Sequence, residues 1–544
     1  MALPAADLIV GNGEIWCGAD DGIVEAVAVW KGLVLATGKA SEIAALAGQS
    51  TRRIDLRGRF ACPGLNDSHL HLVSLGLTMA WVDAKPAAAP TLEKLLEKLD
   101  LRAKSLGPGK WVLARGYDQT KLDVKRHPTR DDLDRAAPNN PVVLVRTCGH
   151  ISIANSMALM LAGIDEASPV PQGGLIEQRD GRLTGLLAEN ARHPLMKVMP
   201  LPTGEDLVDG IERGGEYLLS YGITSCMDAA VGHRGGFAEI AAYQKTKRDG
   251  RLPVRTWLTL LGDPSTGIVP KAYEAGMISG TGDDMLMTGA VKIFLDGSAG
   301  GRTAWMSKPY LGPDQTTGVA MLRDNELGDL VMDYHAKGYQ LACHAIGDAA
   351  IGQLITAYEK ALAAMPDPDR RHRVEHCGYS TPAQHQRMLK AGIYPCPQQV
   401  FVYDFGDAYV SVLGEERGLK SYPFRTWFDL GLKPATGSDA PVCDPNPFPN
   451  FYNMLTRKTA KGTVMDASER VSISQALQAY TEFGAFSQKQ EKIKGRLIPG
   501  QLADIAVFSR DLTRAAPEDI LADTRCDLTI RGGAVVFDRH GEFA

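Results

Sequence analysis

At 544 residues, with 59 basic and 64 acidic side chains and a formal net charge of −5, the chain is too long for one ordinary core, and its mixed charges form no basic stripe of the kind that binds nucleic acid. The stretch Met1–Asp7 has neither a basic region nor an apolar run behind it, and no later segment approaches the ~20 apolar residues of a membrane span. A soluble, cytoplasmic protein that contacts neither membrane nor nucleic acid is therefore expected, and its nine cysteines, odd in number and never spaced Cys-x-x-Cys, read as reduced, buried thiols.

In chain order, residues 6–60 alternate short apolar runs with Gly and Asp turns, for example Leu8-Ile9-Val10, Ala26–Trp30 and Leu33-Val34-Leu35, the pattern of short antiparallel strands. The far end repeats the texture at Ala503–Phe508 and Leu528–Phe537. Neither end has enough strands to bury a face alone, so residues 1–60 and 490–544 are expected to combine into one small β-sandwich. Next comes Asp67-Ser68-His69-Leu70-His71 after Cys62-Pro63-Gly64, where two histidines two apart on a strand point the same way and offer two ligands to a metal. Alone, such a pair is more often incidental than a pair of ligands.

The interval from Leu72 to Tyr221 exceeds any βαβ unit, which implies a folded insertion at about 75–220. Within it Leu92, Leu95, Leu96 and Leu99 fall at helical spacing, and Thr129-x-x-Asp132 predicts a capped helix. From Gly222 onward, apolar runs ending in polar residues alternate with helical segments: Gly222–Asp228, Val254–Leu260, Ala290–Asp296, Gln340–His344, His372–His376, Ile393–Pro397 and Pro434–Asp439. With the His-x-His strand these make eight, and eight parallel strands close into a (β/α)8 barrel over residues 61–489 with its active site at the C-terminal strand ends. That count places His69 and His71 on strand one, Lys292 on strand four, His344 on strand five, His376 on strand six and Asp439 on strand eight. Each has a structural reading on its own, but so many ionisable groups converging on one cavity require a metal or a reaction to justify their burial.

These stretches resemble the amidohydrolase superfamily, and within it the amidohydrolase type 3 group that includes N-substituted formamide deformylases. The resemblance rests on Ala61–His71, on Gly289–Ser298 with Arg302-Thr303-Ala304, on Cys343–Asp348, Glu375-His376 and Gly437-Ser438-Asp439, on Gly149-His150 with Asn155-Ser156, and on Gly495–Asp504. It implies a homo-oligomeric hydrolase, a dimer or larger, that cleaves a C–N bond in a small amide, N-formyl compound or cyclic amide. It also implies one or two divalent ions, zinc foremost, with His69, His71 and Asp439 on one, His344 and His376 on the other, and a carboxylated Lys292 between them. The alternative for Lys292 is an ordinary ion pair with Asp296 or Asp439. Zinc lowers the pKa of bound water to about 7, so a metal-bound hydroxide would be the nucleophile, with Asp439 as proton acceptor and no need for a Gly-x-Ser-x-Gly serine, which the chain lacks. His150, Arg302, Tyr117, Asp118 and Asn155 are candidate substrate contacts. Tyr117 could instead fill core, Asn155 cap a helix and Arg302 pair with Asp296. Two other functions stay open: a mononuclear deaminase of a heterocycle, whose relatives carry a glutamate where this chain has Gly347, and a binding protein that keeps the barrel without the chemistry.

Overall fold

A computed structural model of the chain describes residues 3–313 and 315–543. Its centre is a TIM-like α/β barrel. Seven parallel strands follow one another around it in chain order: Leu65–Leu70, Ile223–Val231, Arg255–Leu261, Leu286–Phe294, Gln340–Ala345, Arg373–His376 and Tyr394–Cys396. Ile223–Val231 and Arg255–Leu261 are buried along their whole length, as expected of parallel strands covered on both faces. Helices Gly204–Leu219, Ala238–Arg248, Asp324–Ala336, Asp348–Ala364 and Pro382–Ala391 accompany the strands. Thr203 and Thr381 start two of them with capping boxes to Asp206 and Gln384, which satisfy amides that have no partner within the helix.

The eighth strand expected from the sequence is a correction. Residues 434–439 run between the first and last strands as an extended segment without a regular ladder. Ser68 N donates to Thr436 O at 3.0 Å, Asp439 N to His69 O at 2.7 Å, and Gly437 N to Pro397 O at 3.3 Å. The ladder fails because a side chain takes over one of its bonds: the Asp67 carboxylate accepts from Ser438 N at 3.1 Å and from Ser438 Oγ at 2.6 Å. The approach is also too close for a side chain at Gly437, where a Cβ would lie 2.6 Å from His69 N.

Between helix Leu72–Thr78 and helix Gly204–Leu219 the chain builds a second sheet of six strands, ordered Gly174–Arg179, Arg182–Glu189, Ile151–Ala154, Val142–Arg146, Val112–Tyr117, Val82–Asp83. Leu92, Leu95, Leu96 and Leu99 of helix Leu92–Leu106 are buried in the apolar cluster that also takes Val112, Leu144 and Ile153 from this sheet. Thr129 caps helix Arg130–Ala136 through the box with Asp132 that the spacing predicts. The flanking helices meet at glycines, and a Cβ on Gly76 would fall 1.7 Å from Gly210 O.

The two chain ends meet as well. In hydrogen-bonding terms they form one eight-stranded sheet, where the sequence suggests a sandwich of two. Strand Phe60–Pro63 joins them, pairing in parallel with Ala6–Gly18 on one side and antiparallel with Ile505–Phe508 on the other. All nine cysteines are buried and free. Among the described residues no helix is long and apolar enough to cross a membrane.

Candidate metal centre

His69 and His71 stand at the C-terminal end of the first barrel strand, Lys292 on the fourth, His344 on the fifth and His376 at the last residue of the sixth, while Asp439 ends the closing segment. The structure gathers all six at one end of the barrel. His69 Nε2 lies 3.6 Å and His71 Nε2 3.2 Å from Asp439 Oδ1, and the potential ligand atoms of these three residues fall within 4.8 Å of one another. The His376 ring is 4.8 Å from that of His69 and 4.4 Å from that of His344, and Lys292 Nζ sits 3.4 Å from His69 Nε2. Two of these positions are strained. His376 and Asp439 adopt φ of 69° and 57°, a left-handed backbone that is uncommon for non-glycine residues and that functional sites often hold.

Each imidazole is oriented by a partner on its far side. His69 Nδ1 is bound to the Glu375 carboxylate and His71 Nδ1 to the Ala229 carbonyl, acceptors that place the proton on Nδ1 and leave Nε2 with a lone pair in the neutral ring. His376 Nδ1 donates to Gln398 Oε1 at 2.5 Å. His344 differs: its Nε2 lies 3.2 Å from Gly297 O and 3.3 Å from Asp296. Arg373 clamps Glu375 through Nε–Oε1 at 2.7 Å and Nη2–Oε2 at 2.9 Å, and its Nη2 also donates to Ser68 O at 2.8 Å.

Burial, followed by the Lys292 charge, pushes His69 down to about 4, and burial with the neighbouring His344, His69 and Lys292 holds His376 well below the ordinary histidine range. Both rings are thus neutral at pH 7, the form in which an imidazole binds metal. Burial opposes ionisation of Asp439, but His71, His69 and Lys292, while they carry their protons, outweigh it and hold the carboxyl at about 2. The result is a carboxylate oxygen, Asp439 Oδ1, that is buried without a hydrogen-bond partner and faces two imidazole lone pairs. Three electron-rich atoms converge on one point. Such an arrangement is repulsive unless a cation stands between them, so this donor set fits a divalent metal ion.

The sequence profile of the amidohydrolase family matches residues 52–537. The chain belongs to the amidohydrolase family. It is 29% identical over 536 residues to the Arabidopsis thaliana protein LONG AFTER FAR-RED 3, covering 95% of this chain and 89% of that one. It is 28% identical over 545 residues to the N-substituted formamide deformylase of Arthrobacter pascens, covering 98% and 99%. Among solved structures this amidohydrolase is similar to an uncharacterized metal-dependent hydrolase from Pyrococcus horikoshii, with a TM-score of 0.75 and 26% identity over 94% of this chain and 99% of that one.

Around the centre of the amidohydrolase, the inserted sheet supplies His150, whose ring lies 5.2 Å from that of His344 and whose Nδ1 is 2.7 Å from Glu189 Oε2. Burial works against its protonation, but Glu189 outweighs burial and raises its pKa. The other candidate contacts are placed differently. Tyr117 is fully buried in the insertion's core with its hydroxyl 2.9 Å from His127 Nδ1. Asp118 accepts from Thr120 at 2.8 Å and faces Arg146 at 3.7 Å. Asn155 caps helix Ser156–Leu161, and its amide oxygen and nitrogen bind backbone at Val142, Ala158 and Asn140. Arg302 turns its guanidinium toward Tyr310, 6.0 Å from the ring centre. Lys292 makes no ion pair among the described residues, and its Nζ lies 4.7 Å from the centre of the Phe294 ring. Asp296, proposed above as its partner, instead accepts from the amides of Trp305, Ile346 and Gly347.

Sequence reasoning left Glu375, Gln398 and Phe294 without roles. Phe294 lies 5.6 Å from His344, ring to ring, and lines a cavity of about 520 Å³ between the insertion and the barrel loops, walled also by Ala162, Ile164, Ile176, Met321 and Leu322.

Proposed function

We propose that this amidohydrolase hydrolyses a carbon–nitrogen bond in an amide, an N-formyl compound or a cyclic amide, using a divalent metal, zinc foremost, held by His69, His71 and Asp439. The convergence of three lone pairs on one point carries the reading. It is supported by full-length likeness to an N-substituted formamide deformylase and by structural likeness to a metal-dependent hydrolase. A divalent ion bound by these residues would supply a Lewis acid able to polarise a carbonyl and to lower the pKa of water toward neutrality.

The chain's residues do the rest. Glu375 and the Ala229 carbonyl hold His69 and His71 in the tautomer that presents Nε2. Asp439, ionised at neutral pH, takes the attacking water's proton and delivers it to the departing amine. Lys292 is pushed below its ordinary range by burial, which raises the share of uncharged amine. That amine can add its nitrogen to the carbon of carbon dioxide and lose a proton, and the resulting carbamate, with His344 and His376, would complete a second cation site. The cavity behind Phe294 has room for an aromatic or branched aliphatic group on the substrate.

A deaminase-type glutamate at position 347 has no room here, because a Cβ on Gly347 would lie 1.9 Å from Trp305 O. The test is a hydrolysis screen over N-formyl, N-acyl and cyclic amides, repeated after chelation and after zinc is restored. Hydrolysis of at least one class, lost on chelation and regained with zinc, is the expected result. Activity insensitive to chelation, or ring deamination alone, would overturn the proposal.

A further inference from the structure

Three arginines stand beside the centre without a carboxylate partner. Arg115 is 9% exposed, and its guanidinium reaches Pro441 O at 3.5 Å, two residues beyond Asp439, and Thr147 O at 3.3 Å. Arg192, also 9% exposed, donates to Gly149 O and, at 2.9 Å, to Ser152 Oγ. The two meet at Gly149, where a Cβ would lie 3.3 Å from Arg115 Nη2. Arg234 donates to Ser74 Oγ at 3.3 Å, three residues after His71, and lies 5.5 Å from the centre of the Trp81 ring.

The nearest acids are already engaged. Glu189 holds His150, and Glu239 accepts from the amides of Gly232, Arg234 and Gly235 at 2.6–2.7 Å. Among the described residues none of the three guanidiniums has a carboxylate within ion-pair distance. Burial and mutual repulsion push Arg234 down to about 9 and, despite Asp439 and Cys148 nearby, Arg115 to about 10. Arg115 and Arg192, like charges largely removed from water that meet at Gly149, are unfavourably placed unless an anion joins them, and the partly buried Arg234 stands beside the same centre.

We propose that Arg115, Arg192 and Arg234 form a receptor for a carboxylate on the substrate, so that the amide cleaved here carries an acid group close to the scissile bond. The inference rests on the hydrolase reading above and deepens it. Guanidinium forks match a carboxylate's two oxygens. Arg115 is bound two residues beyond Asp439 and Arg234 three residues after His71, while His193, the residue after Arg192, lines the 520 Å³ cavity. A substrate with an apolar arm and an anionic end fits both features.

The test separates the anion site from turnover by using a pair that no hydrolase can cleave: 3-benzoylpropionate and its neutral isostere 1-phenylpentane-1,4-dione, titrated calorimetrically into the purified full-length protein. The acid should bind about tenfold or more tightly than the diketone, as charge-assisted hydrogen bonds predict. Arg192→Gln and Arg234→Gln, each checked for folding by circular dichroism, should erase that preference and leave diketone binding unchanged. Equal binding of the pair to the wild type would overturn the proposal. So would a preference that survives both substitutions and disappears in His71→Ala, since the acid would then be binding at the metal. A failed hydrolysis screen would refute the activity while leaving this measurement interpretable.

Discussion

Glu375→Gln tests the link between the barrel's buried ion pair and its metal centre. The wild-type carboxylate has two tasks: it accepts from His69 Nδ1, and it receives Arg373 in a fork at 2.7 and 2.9 Å with both side chains at 1% exposure or less. Glutamine keeps the shape and one acceptor but removes the charge. Arg373 is then a buried guanidinium without a counter-ion, a loss of about 3–5 kcal/mol in stability for breaking one side of such a pair. Replacing the charged acceptor that orients the candidate ligand His69 by a neutral one lowers metal affinity, by about 10- to 100-fold for a change of this kind. The two effects can be separated, because Arg373→Met combined with Glu375→Gln relieves the orphaned charge but not the lost orientation. Denaturant midpoints should fall in the single variant and recover in the double one, whereas affinity measured by competition with a zinc-chelating dye should stay low in both. Recovery of metal affinity together with stability would refute the reasoning, by showing that Glu375 acts only through the fold.

Asp439→Asn keeps the size of the side chain and removes its basicity. Turnover should drop by roughly 10²- to 10⁴-fold with most of the metal retained in elemental analysis; near-normal turnover would remove Asp439 from the proton path. Lys292→Ala should be inactive and partly restored by a short-chain carboxylic acid that substitutes for the carbamate, and a fully active variant would show that the lysine has no part in the centre. Lys494, buried at 6% exposure with Nζ 2.8 Å from Gln488 Oε1, is pushed down from 10.5 to about 7, chiefly by burial and then by Arg255. Between those values the unfolded chain binds a proton that the folded chain does not, so stability rises as pH climbs from 7 toward 10.5 and is lowest below 7. Lys494→Met should flatten that slope in denaturant midpoints taken across the window, and an unchanged slope would show that the lysine is not titrating there.

The convergence of the candidate ligands at one end of the barrel was legible because strand geometry is regular where it matters. Alternation alone puts His69 and His71 on one side of their strand, and the barrel's repeat carries Lys292, His344 and Asp439 to the same end. Glu375 was not legible for the same reason: alternation sends it and His376 to opposite faces, and only the left-handed backbone at His376 brings both toward His69. The closing segment read as a strand because Pro434–Asp439 is short and apolar at its start, but the bond from Ser438 N goes to a side chain more than three hundred positions away in sequence. Asn155, by contrast, is engaged by the helix cap that local sequence reasoning had offered as its alternative. The three arginines stand singly in unrelated segments, and nothing in their neighbours signals that Arg115 and Arg192 meet at Gly149.

His69, His71 and Asp439 are proposed to hold a divalent metal on which hydrolysis depends. The measurement that tests it most directly is the metal content of the purified protein by plasma emission spectroscopy, for the wild type and for His71→Ala, with folding followed by circular dichroism. At least one transition-metal ion per wild-type chain, and its loss from a folded His71→Ala protein, are the expected results. Equal metal content in the two proteins, or a wild type that hydrolyses its substrate with no metal bound, would contradict it.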